Sequence, residues 1–237
     1  MIKIKKIIPT ALLLTSISSA ALADNWNVGA SASYANIDGT ATDTQLQGAS
    51  TRVAQTRGAT SADADFPFAS VFVEYAKTMD TNLDIVFGLD YVPFKAEIDS
   101  KSFADSSFED PVAGPTSTTT GTRKAKLELE NYATLYVQPT YKIGGGTAVF
   151  GKLGYIHGDV KISGSNTATG STINATDTLN GYVFGLGVQH NINKNVFVRL
   201  EGSFTAHDDV TATDSKNTKF TADSDLIAGK LSIGYSF

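Results

Sequence analysis

Hydrophobic and polar positions alternate with period two along most of the chain. Eight segments carry the pattern, at 25–37, 68–77, 83–95, 124–141, 147–162, 178–190, 196–206 and 224–237. This period predicts half-buried β-strands. In 182–189, Tyr182, Phe184, Leu186 and Val188 share one face, and Val183, Gly185, Gly187 and Gln189 the other. Segments 83–91 and 196–204 divide in the same way.

The connections alternate in length. Residues 78–82, 142–146 and 191–195 are short turns. Residues 38–67, 96–123, 163–177 and 207–223 are long and rich in Thr, Ser, Ala, Gly and Asp. A soluble sandwich has no reason to gather every long connection at one end. A membrane barrel does, with short turns on the periplasmic side and long loops outside. An extra hairpin within 38–67 or 96–123 would raise the strand count from eight to ten. Runs such as 116–120 (Thr-Ser-Thr-Thr-Thr) predict mobile loops rather than a shaped pocket.

Charged and amide residues recur opposite the apolar face: Glu74, Asp84, Asp90, Glu128, Glu130, Lys152, Gln189, Arg199, Glu201 and Lys230. In a membrane barrel these point to the lumen and the apolar residues to lipid. Trp26, Tyr75, Tyr141, Tyr235 and Phe237 fall toward one set of strand ends. Tyr34, Phe68, Tyr91, Tyr155, Tyr182 and Phe204 fall toward the other. Two aromatic belts suit two membrane interfaces.

The first 23 residues read as an export signal. Met1–Lys6 is basic, 7–17 is apolar, and Ala21-Leu22-Ala23 precedes Asp24 as a cleavage signal. The apolar run is too short to span a membrane as a helix. The expected mature barrel domain is 24–237. Loss of Lys3, Lys5 and Lys6 takes the net charge from −5 to −8. An acidic chain is a poor partner for nucleic acid. Zero cysteine removes disulfides, thiol nucleophiles and cysteine-ligated metals. Mean hydropathy of −0.07 differs from that of a helical membrane protein and is compatible with a barrel.

Three features resemble the small OmpA/OmpX-type outer-membrane barrels, including the opacity-protein surface antigens and "porin family" barrels. They are Gly151-Lys152-Leu153-Gly154-Tyr155, Val198-Arg199-Leu200-Glu201-Gly202, and the end Lys230-Leu231-Ser232-Ile233-Gly234-Tyr235-Ser236-Phe237. The resemblance covers 24–237. It implies one all-β, eight-stranded antiparallel transmembrane barrel in the outer membrane. It also implies recognition of the last strand, ending at Phe237, by the barrel-insertion machinery. The family's signal often has glycine two residues after its polar position, whereas Lys230 is followed by Leu231 and Ser232. Larger OmpA-type proteins add a peptidoglycan-binding domain. This chain ends at Phe237, so that function is not implied.

Candidate chemistry is sparse. Residues 146–153 (Gly-Thr-Ala-Val-Phe-Gly-Lys-Leu) approach a phosphate-binding loop. Leu153 stands where a magnesium-binding hydroxyl is needed, and the run alternates like a strand. His157 with Asp159, and His207 with Asp208 and Asp209, fall near the outer rim, where barrel enzymes place such groups. His190 falls near the periplasmic rim. No nucleophile pattern or metal-ligand spacing accompanies them. Catalytic, cofactor and metal sites are accordingly assigned to none of these residues.

The interior is expected to hold a paired charge network. Eight strands leave room for little beyond side chains. Gly29, Gly88, Gly154, Gly185, Gly187 and Gly234 make space for Phe72, Tyr132, Tyr136 and Phe197. The expected function is a non-enzymatic surface anchor for four loops, serving envelope integrity, adhesion, or host or phage contact. The alternatives are a narrow cation-preferring pore and, more remotely, a rim hydrolase or lipid-A-modifying enzyme. A monomer is expected, with membrane lipid as its main partner.

Overall fold

In the computed structural model, residues 24–45, 55–56, 60–109, 118–167, 170–213, 215 and 218–237 are described. The export signal, Met1–Ala23, lies outside them. The elements are β1 (Asp24–Gln45), β2 (Gln55–Thr56), β3 (Thr60–Asp80), β4 (Leu83–Tyr91), β5 (Ala96–Glu109) and β6 (Thr118–Gly144). They continue with β7 (Thr147–Asn166), β8 (Ser171–Asn191), β9 (Val196–His207), β10 (Val210–Thr213) and β11 (Thr218–Ser236).

Eight staves close a ring in the order β1, β3, β4, β6, β7, β8, β9, β11, and β11 pairs back to β1. Every neighbouring pair is antiparallel. The other pieces extend this ring. Beyond Tyr91, β5 continues the β4 stave along β6. Beyond His207, β10 continues β9 along β11. The eight predicted strands are therefore the eight staves, and closure leaves no free edge in the wall.

The staves are longer than the alternation predicted. A tilted strand crosses a membrane in about 9–11 residues, and β6 has 27. Much of what read as long mobile loops is strand rising past the outer belt: residues 38–45, 60–67, 96–109, 118–123 and 163–166. Thr, Ser and Ala fill most positions there and few large apolar residues mark a face, but neighbouring staves supply the ladder partners. Arg123↔Asn166 and Ala41↔Thr60 are examples.

The faces reverse between the two levels. At membrane depth the outward positions are apolar and exposed, as at Leu135, Leu153, Leu186, Leu200 and Leu231. Toward the outside the inward positions become apolar instead. Phe66, Val92, Leu129, Ile156, Leu179 and Leu226 pack there as a buried cluster, with Phe68 against it. Phe68 is thus an interior residue, not a member of the outer belt. It pairs with inward Ser33, and its ring meets Phe66 at 5.9 Å. A barrel segment standing in water fills its inside as a soluble barrel does.

A second departure lies at Asn131. Its φ of 52° is left-handed, a conformation that asparagine tolerates. The β6–β7 register shifts between Glu130 and Ala133. The stave between β4 and β5 is interrupted at the same level, where the Val92 N–H donates to Tyr132 O at 2.8 Å. One residue of shift exchanges inside for outside. Glu128 and Glu130, expected in the lumen, therefore stand on the outer surface. Glu130 meets Lys95 at 2.5 Å, and Glu128 meets Lys126 at 3.1 Å.

Inward rings sit over inward glycines. A Cβ on Gly88 would collide with the Tyr136 ring, and one on Gly234 with the Phe197 ring. We expect Gly88→Val to destabilise the barrel by about 1–3 kcal/mol through overpacking. A lowered urea midpoint for unfolding from lipid vesicles checks this. An unchanged midpoint would show that the ring relocates freely.

Candidate functional site: the lumen

Register decides which charges meet. Inward Arg199 on β9 reaches across the barrel to Glu74 on β3. Its Nη1 donates to Oε1 at 2.7 Å and its Nη2 to Oε2 at 3.1 Å. This two-pronged contact is the strong form of an arginine–carboxylate pair. Glu74 also accepts from the Tyr136 hydroxyl at 2.5 Å and from Asn27 Nδ2 at 3.2 Å. Arg199 Nη2 further donates to Gln189 Oε1 at 2.9 Å. Phe72, Phe150 and Phe197 surround the guanidinium, with centroids 5.0–5.6 Å away. Arg199 and Glu74 are almost wholly buried.

Two more pairs complete the section. Lys152 Nζ donates to Glu201 at 2.5 Å and lies 4.4 Å from the centre of the Tyr136 ring. Lys230 Nζ donates to Asp90 at 2.9 Å. Both pairs are buried or nearly so. Arg199, Lys152, Lys230, Glu74, Glu201 and Asp90 thus pair one to one, as expected for a charge-paired interior. Nearer the periplasmic end, Asp84 accepts from Lys142 at 2.8 Å and from Thr78 at 2.9 Å.

On the extracellular outer surface the ion pairs are exposed. Hydrogen bonds from Lys126 hold the Glu128 carboxyl below its usual range. Lys126 itself is raised by its bonds to Glu97 and Glu128.

The histidines do not converge. His157 faces outward and meets Asn180 Oδ1 at 2.9 Å, while Asp159 accepts from Asn131 at 2.7 Å. His207 turns inward, toward the Tyr132 hydroxyl at 3.4 Å and Ser224 Oγ at 3.5 Å. Asp208 and Asp209 beside it are exposed. His190, at the opposite rim, meets the Thr147 hydroxyl at 3.0 Å. Residues 146–153 run through the Gly-Gly turn into β7 rather than into a helix, and Lys152 serves Glu201. Among the described residues no cluster of three or more metal-ligating side chains occurs.

A ring of eight antiparallel strands with lipid-facing leucines and a paired polar lumen defines a bacterial outer-membrane β-barrel, with short periplasmic turns and long extracellular connections. The chain matches the family "Outer membrane protein beta-barrel domain" over residues 10–237, and it belongs to that family. A comparison with curated proteins gives no match. Among solved structures it is similar to the outer membrane protein OprG from Pseudomonas aeruginosa. The identity is 15% and the TM-score 0.53, covering 90% of this chain and 95% of that one. It is also similar to Ail, the attachment invasion locus protein of Yersinia pestis. That match has 13% identity and a TM-score of 0.42, over 86% of this chain and 98% of that one. The outer membrane protease OmpT from Escherichia coli matches at 10% identity and a TM-score of 0.40, over 89% and 97% of the two chains. At such identities the likeness to OprG describes the fold.

Proposed function

We propose that the protein is a non-enzymatic outer-membrane anchor whose closed barrel presents extracellular strand extensions and their connections to the surroundings. The observation that carries this reading is the filled interior. Three ion pairs and the rings of Phe72, Phe150, Phe197 and Tyr136 occupy the membrane section, and an apolar cluster lies above them. Three cations against three anions leave no acidic ring to select cations. That count weighs against a cation-preferring pore. The scattered histidines weigh against a rim hydrolase, which needs nucleophile, base and orienting group within hydrogen-bond reach of one another.

The chain works here as a monomer, exported by cleavage before Asp24, with lipid around it. Its extensions suit contact with host, phage or neighbouring envelope components. Swelling of proteoliposomes in small sugars tests the anchor reading. Swelling no faster than in protein-free liposomes is the expected result. Rapid swelling would make the protein a diffusion channel.

The same reading gives Phe237 a role in closure. Its N–H donates to Trp26 O at 2.9 Å, joining the chain's end to β1, and its ring meets Tyr235 at 5.1 Å. We expect deletion of Phe237 to leave most of the protein unassembled in cells. Heat-modifiable migration on gels measures the folded fraction, and wild-type assembly would place the insertion signal elsewhere.

A further inference from the structure

The wall has a local fault at membrane depth, apart from the bulge at Asn131. The β6–β7 ladder runs through Val137↔Leu153 and resumes at Thr140↔Phe150, passing over Gln138 and Pro139. Pro139 has no N–H to donate and faces outward in a stave paired on both sides. Opposite it stands Gly151, also on the outer face, where an added Cβ would meet only Leu186 at 3.7 Å. Missing ladder contacts and a missing side chain leave a cleft of about 440 Å³. Leu83, Pro139, Tyr141, Val149, Gly151 and Leu186 line it. This lining is mostly apolar, and the cleft opens on the face that bilayer hydrocarbon covers.

The strand registers give the cleft a direction. Lys77 pairs with Ile85, and Ile85 with Pro139, so the three form one row across β3, β4 and β6. Lys77 is exposed and lies two residues to the periplasmic side of the belt residue Tyr75. Pro139 lies two residues to the membrane side of the belt residue Tyr141. The row therefore runs from headgroup level at Lys77 into the hydrocarbon at Pro139. This slope is what tilted strands produce.

We propose that this cleft is a binding site for a phospholipid of the periplasmic leaflet. One acyl chain lodges between Pro139, Gly151 and Leu186, and the phosphate lies toward Lys77. The occupant follows from position. Hydrocarbon is the medium at this face, so the cleft fills with chain methylenes rather than water. Lys77, whose register partner on β1 is Asp24, is the cation on the row and sits where an anionic headgroup would be. A chain held in a groove exchanges more slowly than the surrounding lipid, because it gives up contacts with the wall to leave.

The test uses the full-length barrel in vesicles containing a phospholipid with a diazirine in mid-chain. Photolabelled peptides are mapped and compared with the outward strip Leu200, Leu231 and Ile233. The expected result is about fivefold heavier labelling along Pro139, Val149 and Leu186. Gly151→Leu fills the cleft and should reduce that labelling to the level of the strip. Val149→Trp fills it from the neighbouring outward position and serves if the leucine variant does not fold. Lys77→Gln should reduce phospholipid labelling of the cleft, and a diazirine diacylglycerol, which carries no charged headgroup, should label the wild-type cleft less than the phospholipid does. Even labelling around the wild-type barrel, or an excess that survives filling, would overturn the site. Equal labelling of the wild-type cleft by the diacylglycerol and the phospholipid would overturn the phospholipid assignment.

Discussion

Replacing Arg199 by alanine should destabilise the folded barrel by about 3–5 kcal/mol. That is the usual cost of removing one partner from a buried ion pair, because the remaining charge is left without compensation. Here the remaining charge is Glu74. It would keep the Tyr136 and Asn27 donors and lose both guanidinium contacts. Gln189 Oε1 would lose its donor as well, and the rings of Phe72, Phe150 and Phe197 would face a vacated volume. The measurement is urea-dependent unfolding from lipid vesicles, followed by the change in gel mobility on heating. Glu74→Gln should recover only part of the loss when combined with Arg199→Ala, since it removes the orphan charge and not the void. An Arg199→Ala midpoint equal to wild type would show that the pair adds nothing to the fold.

The second large effect is expected on the opposite face. Leu200 lies between Arg199 and Glu201 in β9, so its side chain points outward where theirs point inward. It is 64% exposed and pairs with Val188 and Leu231, about midway between Val196 and the belt residue Phe204. Leu200→Arg places a cation in hydrocarbon near mid-depth, at a cost of about 2–4 kcal/mol. The contrasting position is Thr178, exposed on β8 four residues beyond the belt residue Tyr182. Thr178→Arg should change stability by less than about 1 kcal/mol, because such costs fade near and beyond the interface. Folding free energies of both variants in vesicles check the pair. A harmless Leu200→Arg would put this face in water and reverse the barrel's assigned surfaces.

Alternation alone located all eight staves, because a two-residue period leaves few ways to place side chains once one face is apolar. The lumen charges Glu74, Lys152, Arg199, Glu201 and Lys230 were legible for the same reason. Their partners were not. Whether Arg199 meets Glu74 or neighbouring Glu201 depends on where β3 and β9 stand across the ring. No local pattern encodes that. Glu128 and Glu130 were misplaced because a one-residue bulge at Asn131 reverses the faces of everything beyond it. The signal for it was an asparagine, a residue that also occupies ordinary strand positions.

The extensions were harder still. Their Thr, Ser and Ala content reads as low-complexity loop, yet such residues accept extended backbone when neighbouring staves complete the ladder. Pro139 stands near the end of the predicted strand 124–141. A proline there argues for a break in pairing, and the missing β6–β7 contacts are that break.

Single-channel recording across a planar bilayer tests the closed lumen most directly. Wild-type protein inserted at neutral pH should give no stable conductance steps, and Arg199→Ala should lower stability without producing them. Uniform wild-type steps with a cation preference, altered by substitution of Glu74, Asp90 or Glu201, would contradict a closed barrel and make the interior a pore.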